Sequence, residues 1–180
     1  SLGTGSKLLP AGPQQPVPVI AELSGNDLVI VGPGADRATV DKALQWSRAL
    51  NRGNTCMCPQ RTWLPDGWEL ETQLPSRSYQ QNSQLYQWLA EEKYGLGISL
   101  FGDERWVAEV LPHCRSGFVT INDIIAPTAD PRAPFGGRGL SGYGVTRGEE
   151  GLLAMTYPQA VFTNRGPRFH LWPPSGREMA

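Results

Sequence analysis

Short apolar runs that alternate with helical patterns constrain the fold of this chain most strongly. The run at 28–31 has no polar alternation, as expected for a strand that is covered on both faces. Asp36 is a suitable N-cap, and apolar or small residues recur behind it at helical spacing, which predicts a helix over about 36–50. A second helix over about 79–93 and a strand over 97–101 follow.

The alternation continues through the second half of the chain. A third helical pattern runs from Val107 to Cys114, where Pro112 should shorten or kink the helix, and a strand is expected over 118–121. Strand, helix, strand, helix, strand is the order of a parallel sheet with right-handed crossovers. The sequence therefore predicts an α/β fold with a small, mostly parallel sheet flanked by helices, and a short helix near 148–155 after a glycine-rich loop.

The ends of the chain differ from this pattern. Residues 1–18 are rich in Pro and Gly, so an extended lead-in is expected there, ahead of one domain over 19–157. In the tail over 158–180, the β-rich runs 159–163 and 168–172 flank a turn and predict a C-terminal hairpin that is used for oligomerisation. Residues 59–78 show no clean period.

Charge and cysteine content exclude several classes of protein. Sixteen Lys and Arg residues against seventeen Asp and Glu residues leave a formal net charge of −1, so a nucleic-acid partner is not expected. Apolar runs are only a handful of residues long, far below the roughly 20 that a bilayer span requires. The odd cysteine count of 3 and the start of the sequence, which has no secretory leader pattern, favour the reducing cytoplasm.

One cysteine lies in a setting that suits a nucleophile. Cys56 follows the first predicted helix on a turn built from Asn51, Gly53 and Asn54. A thiol just beyond a helix on such a turn can be exposed and activated as a thiolate. The segment therefore marks a candidate site for covalent chemistry.

Several stretches carry a resemblance to a known family, and the segments 94–97 and 117–122, which resemble its conserved scaffold, are among them. The segment 21–25 resembles the Glu-Leu-Gly-Gly segment of aldehyde dehydrogenases, with Ser24 in place of the first glycine. The segment 51–56 resembles their Asn-x-Gly-Gln-x-Cys motif, with Asn54 in place of glutamine, and the loop 134–142 resembles their Pro-Phe-Gly-Gly loop. Over about 19–163 the chain is similar to an abbreviated catalytic half of such an enzyme, and the resemblance implies that fold.

The resemblance implies a role for each matched residue. Cys56 would be the nucleophile that attacks an aldehyde, its backbone N–H would hold the oxyanion, and the hydride would pass to NAD or NADP. Glu22 would be the general base that activates water to release the acid. The other matched residues would form the site loops and the scaffold: Asn51, Gly53, Asn54, Asn122, Pro134, Phe135, Gly136 and Gly137.

The sequence departs from the family in what should hold the cofactor. Only about twenty residues precede Glu22, too few for one βαβ unit, so we expect the N-terminal dinucleotide-binding domain to be missing. NAD or NADP is expected only if a partner supplies that domain. The stretch at 3–6 is similar to the family's Thr-Gly-Ser turn near the nicotinamide, but prolines follow where the family has a helix.

Other interpretations of the same residues lead away from a ligand. Cys56, Cys58, His113 and Cys114 do not have the usual spacing of zinc ligands, so no metal is expected. The glycines after Phe135 could cradle a phosphate, but close loop packing explains them better because no strand leads into them. The six tryptophans are interpreted as core and interface anchors rather than a ligand cage.

These observations predict a non-autonomous or vestigial aldehyde dehydrogenase domain. Its role would be structural or oligomerising within a larger oxidoreductase, as a homo-oligomer or in a complex with an aldehyde dehydrogenase-type partner. The alternative is an active NAD(P)-dependent enzyme that oxidises an aldehyde to an acid through a Cys56 thiohemiacetal and thioester, with the cofactor domain supplied by the partner.

Overall fold

A five-stranded, wholly parallel sheet lies at the centre of the protein. The computed structural model describes residues 2–8 and 18–166. In chain order the strands are β1 (Ala21–Glu22), β2 (Asp27–Val31), β3 (Pro59–Pro65), β4 (Ser76–Tyr79), β5 (Tyr94–Gly95), β6 (Gly97–Phe101), β7 (Phe118–Ile121), β8 (Arg138–Gly139) and β9 (Gly142–Tyr143). The helices are α1 (Leu2–Leu8), α2 (Arg37–Ala49), α3 (Asn82–Glu91), α4 (Glu104–Val110) and α5 (Gly148–Leu153). The sheet order is β4-β3-β2-β6-β7.

Helices cover both faces of this sheet. All five residues of the central strand β2 are buried, which explains its unalternated apolar sequence. On one face Leu28 and Ile30 pack in a cluster with residues of α3 and α4, and on the other Val29 and Val31 pack with residues of α2. The predicted α/β class and the mostly parallel sheet are confirmed.

Loops close the carboxyl ends of β2, β6 and β7. The Asn122 side chain accepts from the Gly102 N–H at 2.9 Å and donates to the Gly102 carbonyl at 3.0 Å, so it joins the ends of β6 and β7. Gly32 lies against the Trp106 ring, and any side chain there would overlap the ring. The Asp103 N–H donates to the Pro33 carbonyl at 2.8 Å. These contacts tie together the loops that follow β2, β6 and β7.

Two short antiparallel ladders attach the glycine-rich loop to the rest of the domain. β1 pairs with β9, and β5 pairs with β8. Phe135 and Thr146 form a further antiparallel bridge with two backbone hydrogen bonds of 2.7 Å. The loop thereby lies beside the chain that leads into β2, although the two are far apart in sequence.

Most predicted elements are confirmed. Asp36 caps α2 through its side chain, which accepts from the Thr39 N–H at 2.9 Å. The helix α4 gives way to a 3₁₀ turn, Leu111–His113, at Pro112 as expected. The second helix, the strands at 97–101 and 118–121 and the short last helix also form.

One expectation about the first half of the chain is wrong, and one segment without a prediction holds two strands. Residues 2–8 form α1 instead of an extended lead-in, because the proline-rich stretch begins only after the helix ends. Residues 59–78, which show no clean period, contain β3 and β4. Prolines occupy both ends of β3, and β4 is an edge strand with mostly exposed polar side chains, so neither gives an apolar alternation.

The C-terminal hairpin stays a prediction. Residues 159–163 form no strand and are exposed in the described part of the chain. The second run, 168–172, lies outside the described residues, and the division of the chain at 18 and 157 is likewise untested. Among the described residues, no helix combines the length and the apolar character that crossing a bilayer demands.

Tyr79 joins the edge strand to the centre of the sheet. Its hydroxyl is buried and donates to the Val31 carbonyl at 2.7 Å. We expect Tyr79→Phe to lower the free energy of unfolding by about 1 kcal/mol, because the buried carbonyl loses its partner. Urea unfolding measures the change, and Tyr157→Phe is the control, since Tyr157 is 78% exposed. Equal stability of the two variants would contradict the assignment.

Candidate functional site

Three of the residues that the sequence singles out line one cavity. Glu22, Cys56 and Phe135 surround a space of about 660 Å³. Both Glu22 and Cys56 lie at the amino-terminal edge of the sheet, where the chain enters β2 and β3. The rest of the wall is largely apolar: Trp46, Leu50, Met57, Ile125, Ala126, Thr128, Ala129, Thr146 and Arg147.

A left-handed turn brings Cys56 to this cavity. After α2, Asn51, Arg52 and Gly53 all have positive φ, at 48°, 56° and 73°. The Asn51 side-chain amide donates to the Asn54 backbone carbonyl at 2.9 Å, and the Asn54 backbone N–H donates to the Asn51 backbone carbonyl at 3.0 Å. Asparagine and glycine tolerate this backbone conformation best, so the sequence suits the turn, and Cys56 emerges exposed.

Gly25, in the link between β1 and β2, packs directly against the Cys56 turn. A methyl group on Gly25 would overlap the Cys56 carbonyl oxygen and would also approach the Asp27 carboxyl. The two backbone segments therefore pack with no side chain between them. This packing fixes Cys56 relative to the segment that carries Glu22.

Thr146 orients the Glu22 carboxyl. Its hydroxyl donates to Glu22 Oε1 at 2.5 Å, and its backbone is held by the bridge to Phe135. The two residues are 124 positions apart in sequence, and no local motif marks Thr146. Sequence reasoning therefore missed it.

Phe135 forms the buried floor of the cavity. Its ring stacks on Phe118 with centroids 5.9 Å apart, and the Arg147 guanidinium lies 4.5 Å from the Phe135 centroid. Arg147 also donates to the Thr128 carbonyl at 2.6 Å. The arginine thus joins two walls of the cavity, a role that its sequence position does not reveal.

The remaining predicted site residues lie outside the cavity lining. Asn122 holds the loop ends described above, while Asn51, Gly53 and Asn54 shape the Cys56 turn. Pro134, Gly136 and Gly137 line a separate cavity of about 580 Å³. Side chains at Gly136 and Gly137 would overlap the Gly144 and Ser141 carbonyls. These glycines therefore allow close backbone packing, which is the interpretation that the sequence favoured over a phosphate cradle.

The charges around Cys56 disfavour its thiolate. Burial raises the pKa of the Cys56 thiol, and the carboxyl groups of Asp27 and Glu22 raise it further. The backbone N–H groups of Cys56 and Met57 act in the opposite direction. Cys56 is exposed as predicted, but the predicted activation is not provided by its described neighbours.

The other cysteines are less accessible. Cys58 is buried, and its thiol lies 3.8 Å from the Ser47 and Pro59 carbonyls. Burial raises the pKa of Cys114 to about 11. Within 2–8 and 18–166, no cluster of three or more His, Cys, Asp or Glu residues is placed to hold a metal ion.

The described residues do not fit a dinucleotide. Ahead of Glu22 they comprise only the seven-residue helix α1 and a short extended stretch, with no βαβ unit. The glycine-rich loop, whose backbone could otherwise cradle a phosphate, is packed against its own carbonyls. No step of the chemistry is therefore assigned to a cofactor held by these residues.

Comparisons with known proteins agree with this fold. The sequence model of the aldehyde dehydrogenase family matches residues 1–69 and 74–161. A "Probable coniferyl aldehyde dehydrogenase" of Caulobacter vibrioides is 32% identical over 108 residues, which are 57% of this chain and 22% of that protein. A protein of the same description from Pseudomonas aeruginosa is 32% identical over 111 residues, 59% of this chain and 23% of that protein.

The solved structures extend the match to the fold. An NAD⁺ complex of an aldehyde dehydrogenase from Bacillus cereus superposes with a TM-score of 0.81 at 15% identity, over 92% of this chain and 51% of that chain. The chain thus spans about half the length of this solved structure and less than a quarter of the two curated relatives. Since the family's sequence model matches most of the chain, the chain belongs to the aldehyde dehydrogenase family.

Proposed function

We propose that this chain is the non-autonomous, thiol-bearing part of an aldehyde dehydrogenase, which adds its Cys56 thiol to an aldehyde and depends on another part or partner for oxidation. One observation carries the proposal: an exposed cysteine and an oriented glutamate face the same largely apolar cavity. We further propose a cytoplasmic oligomer, either of this chain or with an aldehyde dehydrogenase-type partner that binds NAD or NADP.

Addition to the aldehyde uses groups that the chain itself contains. Cys56 Sγ forms a bond to the carbonyl carbon, the π electrons move to the oxygen, and the thiol proton ends on that oxygen. The product is a thiohemiacetal at the same oxidation level. The apolar wall formed by Trp46, Leu50 and Phe135 suits the hydrocarbon part of an aldehyde.

Glu22 is placed to act on the acyl stage. When an acyl group is bound to Cys56, Glu22 takes a proton from water, the water oxygen bonds to the acyl carbon, and the bond to sulfur breaks. Thr146 keeps the carboxyl in place for this step. Conversion of the thiohemiacetal to the thioester needs a hydride acceptor, for which the described residues provide no site.

An activated ester tests both roles without any cofactor. With p-nitrophenyl acetate, we expect a burst of nitrophenolate as Cys56 is acylated, followed by slow turnover. Cys56→Ala should abolish the burst, whereas Glu22→Gln should retain the burst and slow the turnover by about 10²-fold. Stopped-flow absorbance measures both phases.

The buried Cys58 supplies the matched control. Cys58→Ala should leave the burst intact if the acylated thiol is Cys56. A burst that survives in Cys56→Ala, or a wild-type protein that shows no burst at all, would contradict the proposed chemistry.

The raised pKa of Cys56 favours a second candidate function. A thiol whose surroundings oppose ionisation suits a vestigial site, in which case the chain has a structural or oligomerising role in a larger oxidoreductase. Light scattering after size-exclusion chromatography, with and without a candidate dehydrogenase partner, tests this role. A monomer that binds no partner and shows the ester burst would exclude it.

A further inference from the structure

A buried carboxyl group lies beneath the candidate site and has no part in the chemistry described so far. Asp27 opens β2 and is only 5% exposed. Within 2–8 and 18–166, no group forms a hydrogen bond with its Oδ1 atom. A buried, unpaired oxygen is costly for a charged carboxylate, much less so for a neutral acid whose proton can reach an acceptor.

The packing around Asp27 connects it to the nucleophile. Oδ1 faces Gly25 on the side where the Cys56 carbonyl also lies, since a side chain on Gly25 would overlap both groups. Oδ2 lies over Gly97, beside the Phe118 ring. Asp27 therefore sits between the Cys56 turn and the aromatic pair that supports Phe135.

Asp27 forms no salt bridge with any residue in the described part of the chain. The positive group whose charge acts on Asp27, Arg61 on β3, forms a two-pronged ion pair with Glu92 at 2.7 and 2.6 Å and also donates to the Asn26 carbonyl. Its charge is therefore largely compensated. β6 offers only the Gly97 backbone N–H, and β7 offers only an uncharged ring.

We infer that Asp27 carries a proton at neutral pH and that, when it loses this proton, its charge keeps the Cys56 thiol from ionising. The inference deepens the proposed function, on which its meaning for catalysis rests. Burial raises the pKa of Asp27 to about 8, against the weaker opposing effects of the Gly97 N–H and the Arg61 charge. The Asp27 charge is also among the causes that raise the pKa of Cys56 and Cys58.

Few of the charged groups that the structure describes act on Asp27 and the two cysteines. Cys56 feels Asp27 and, more weakly, Glu22, while Cys58 feels Asp27 together with the opposing charge of Arg48. Because Glu22 lies on β1 and is unchanged in an Asp27 variant, its effect cancels when the variant is compared with the wild type. The comparison therefore isolates the charge of Asp27.

Thiol labelling over a pH series tests the inference. Iodoacetamide reacts with the thiolate, so peptide mass spectrometry of the full chain gives the rate at Cys56 separately from the other thiols. Asp27→Asn and the wild type should react equally at about pH 6.5, where Asp27 is neutral. At about pH 9 the variant should react several-fold faster, and about tenfold faster if the charge raises the thiol pKa by one unit.

Two controls separate charge from structure. The rate at Cys114, whose raised pKa reflects burial alone, should not depend on Asp27 at any pH. Asp66→Asn removes an exposed carboxyl at the far end of β3 and should leave the Cys56 curve unchanged. If the ratio of the Cys56 labelling rate in Asp27→Asn to that in the wild type is the same at every pH, the inference is wrong, whatever the value of the ratio.

A measurement on the wild type covers the case in which the variant does not fold. In ¹³C NMR with labelled aspartate, one carboxyl should titrate near pH 8. If every aspartate titrates below about pH 5, the inference is wrong. Because neither readout uses an aldehyde or an ester, a failed ester burst would count against the proposed function alone.

Discussion

Replacing Gly25 with alanine is expected to destabilise the protein by about 3 kcal/mol or more and to displace Cys56. The added methyl carbon would lie 1.8 Å from the Cys56 carbonyl oxygen and 2.9 Å from Asp27 Oδ1. The first of these is a backbone atom, which cannot swing aside as a flexible side chain could. The strain must therefore separate the Cys56 turn from the segment that carries Glu22.

Urea unfolding and thiol labelling measure the two parts of this effect. Stability should fall, and the rate of Cys56 labelling should change as the turn moves. Gly3→Ala is the matched control, because no atom of the described residues lies within 4 Å of the new methyl group there. If Gly25→Ala proved as stable as Gly3→Ala, the close packing of the two segments would be refuted.

Asp27→Asn is expected to stabilise the protein, by an amount that grows with pH. Folding raises the pKa of Asp27 from 3.8 to about 8, so the folded chain holds a proton that the unfolded chain releases. Stability from this group is complete below about pH 4 and declines up to about pH 8, in total by an amount on the order of 6 kcal/mol. Asparagine does not titrate and removes this decline.

Unfolding curves at a series of pH values show the effect as a difference. The free energy of unfolding of Asp27→Asn minus that of the wild type should be constant below about pH 4 and rise steadily towards pH 8, whatever constant offset the buried amide adds. Asp66→Asn should run parallel to the wild type across this range. Parallel curves for Asp27→Asn would mean that the buried carboxyl is already ionised at acidic pH.

Two of the strands that the sequence predicted, β2 and β6, are buried on both faces, while the third, β7, is an edge strand that its apolar residues still revealed. β2 and β6 read as apolar runs because every one of their residues is buried. β3 is also internal, yet its Gln60 and Arg61 carry polar groups to the strand margin, where Arg61 pairs with Glu92. Ion pairs between distant residues give no periodic pattern of apolar residues in the sequence. The sequence therefore did not predict β3 or its polar edge neighbour β4.

The candidate site divides in the same way. Cys56, Glu22 and Phe135 were found because each lies in a short stretch that resembles the family, and the structure brings all three to one cavity. Thr146, Arg147 and Asp27 act through contacts with residues that are distant in the chain or on other strands. A single sequence does not encode such contacts in any local pattern, so only the folded arrangement reveals them.

The two hydrogen bonds between Asn122 and Gly102, together with the packing of the Trp106 ring on Gly32, hold the loops at the carboxyl edge of the sheet in place. Insertions or substitutions at this edge would disturb the packing of the loops before they changed the binding of a ligand. Variation in what the cavity accepts is instead expected at its more exposed side chains, such as Trp46 and Leu50, because the packed backbone at Gly25 fixes the segments that carry Glu22 and Cys56.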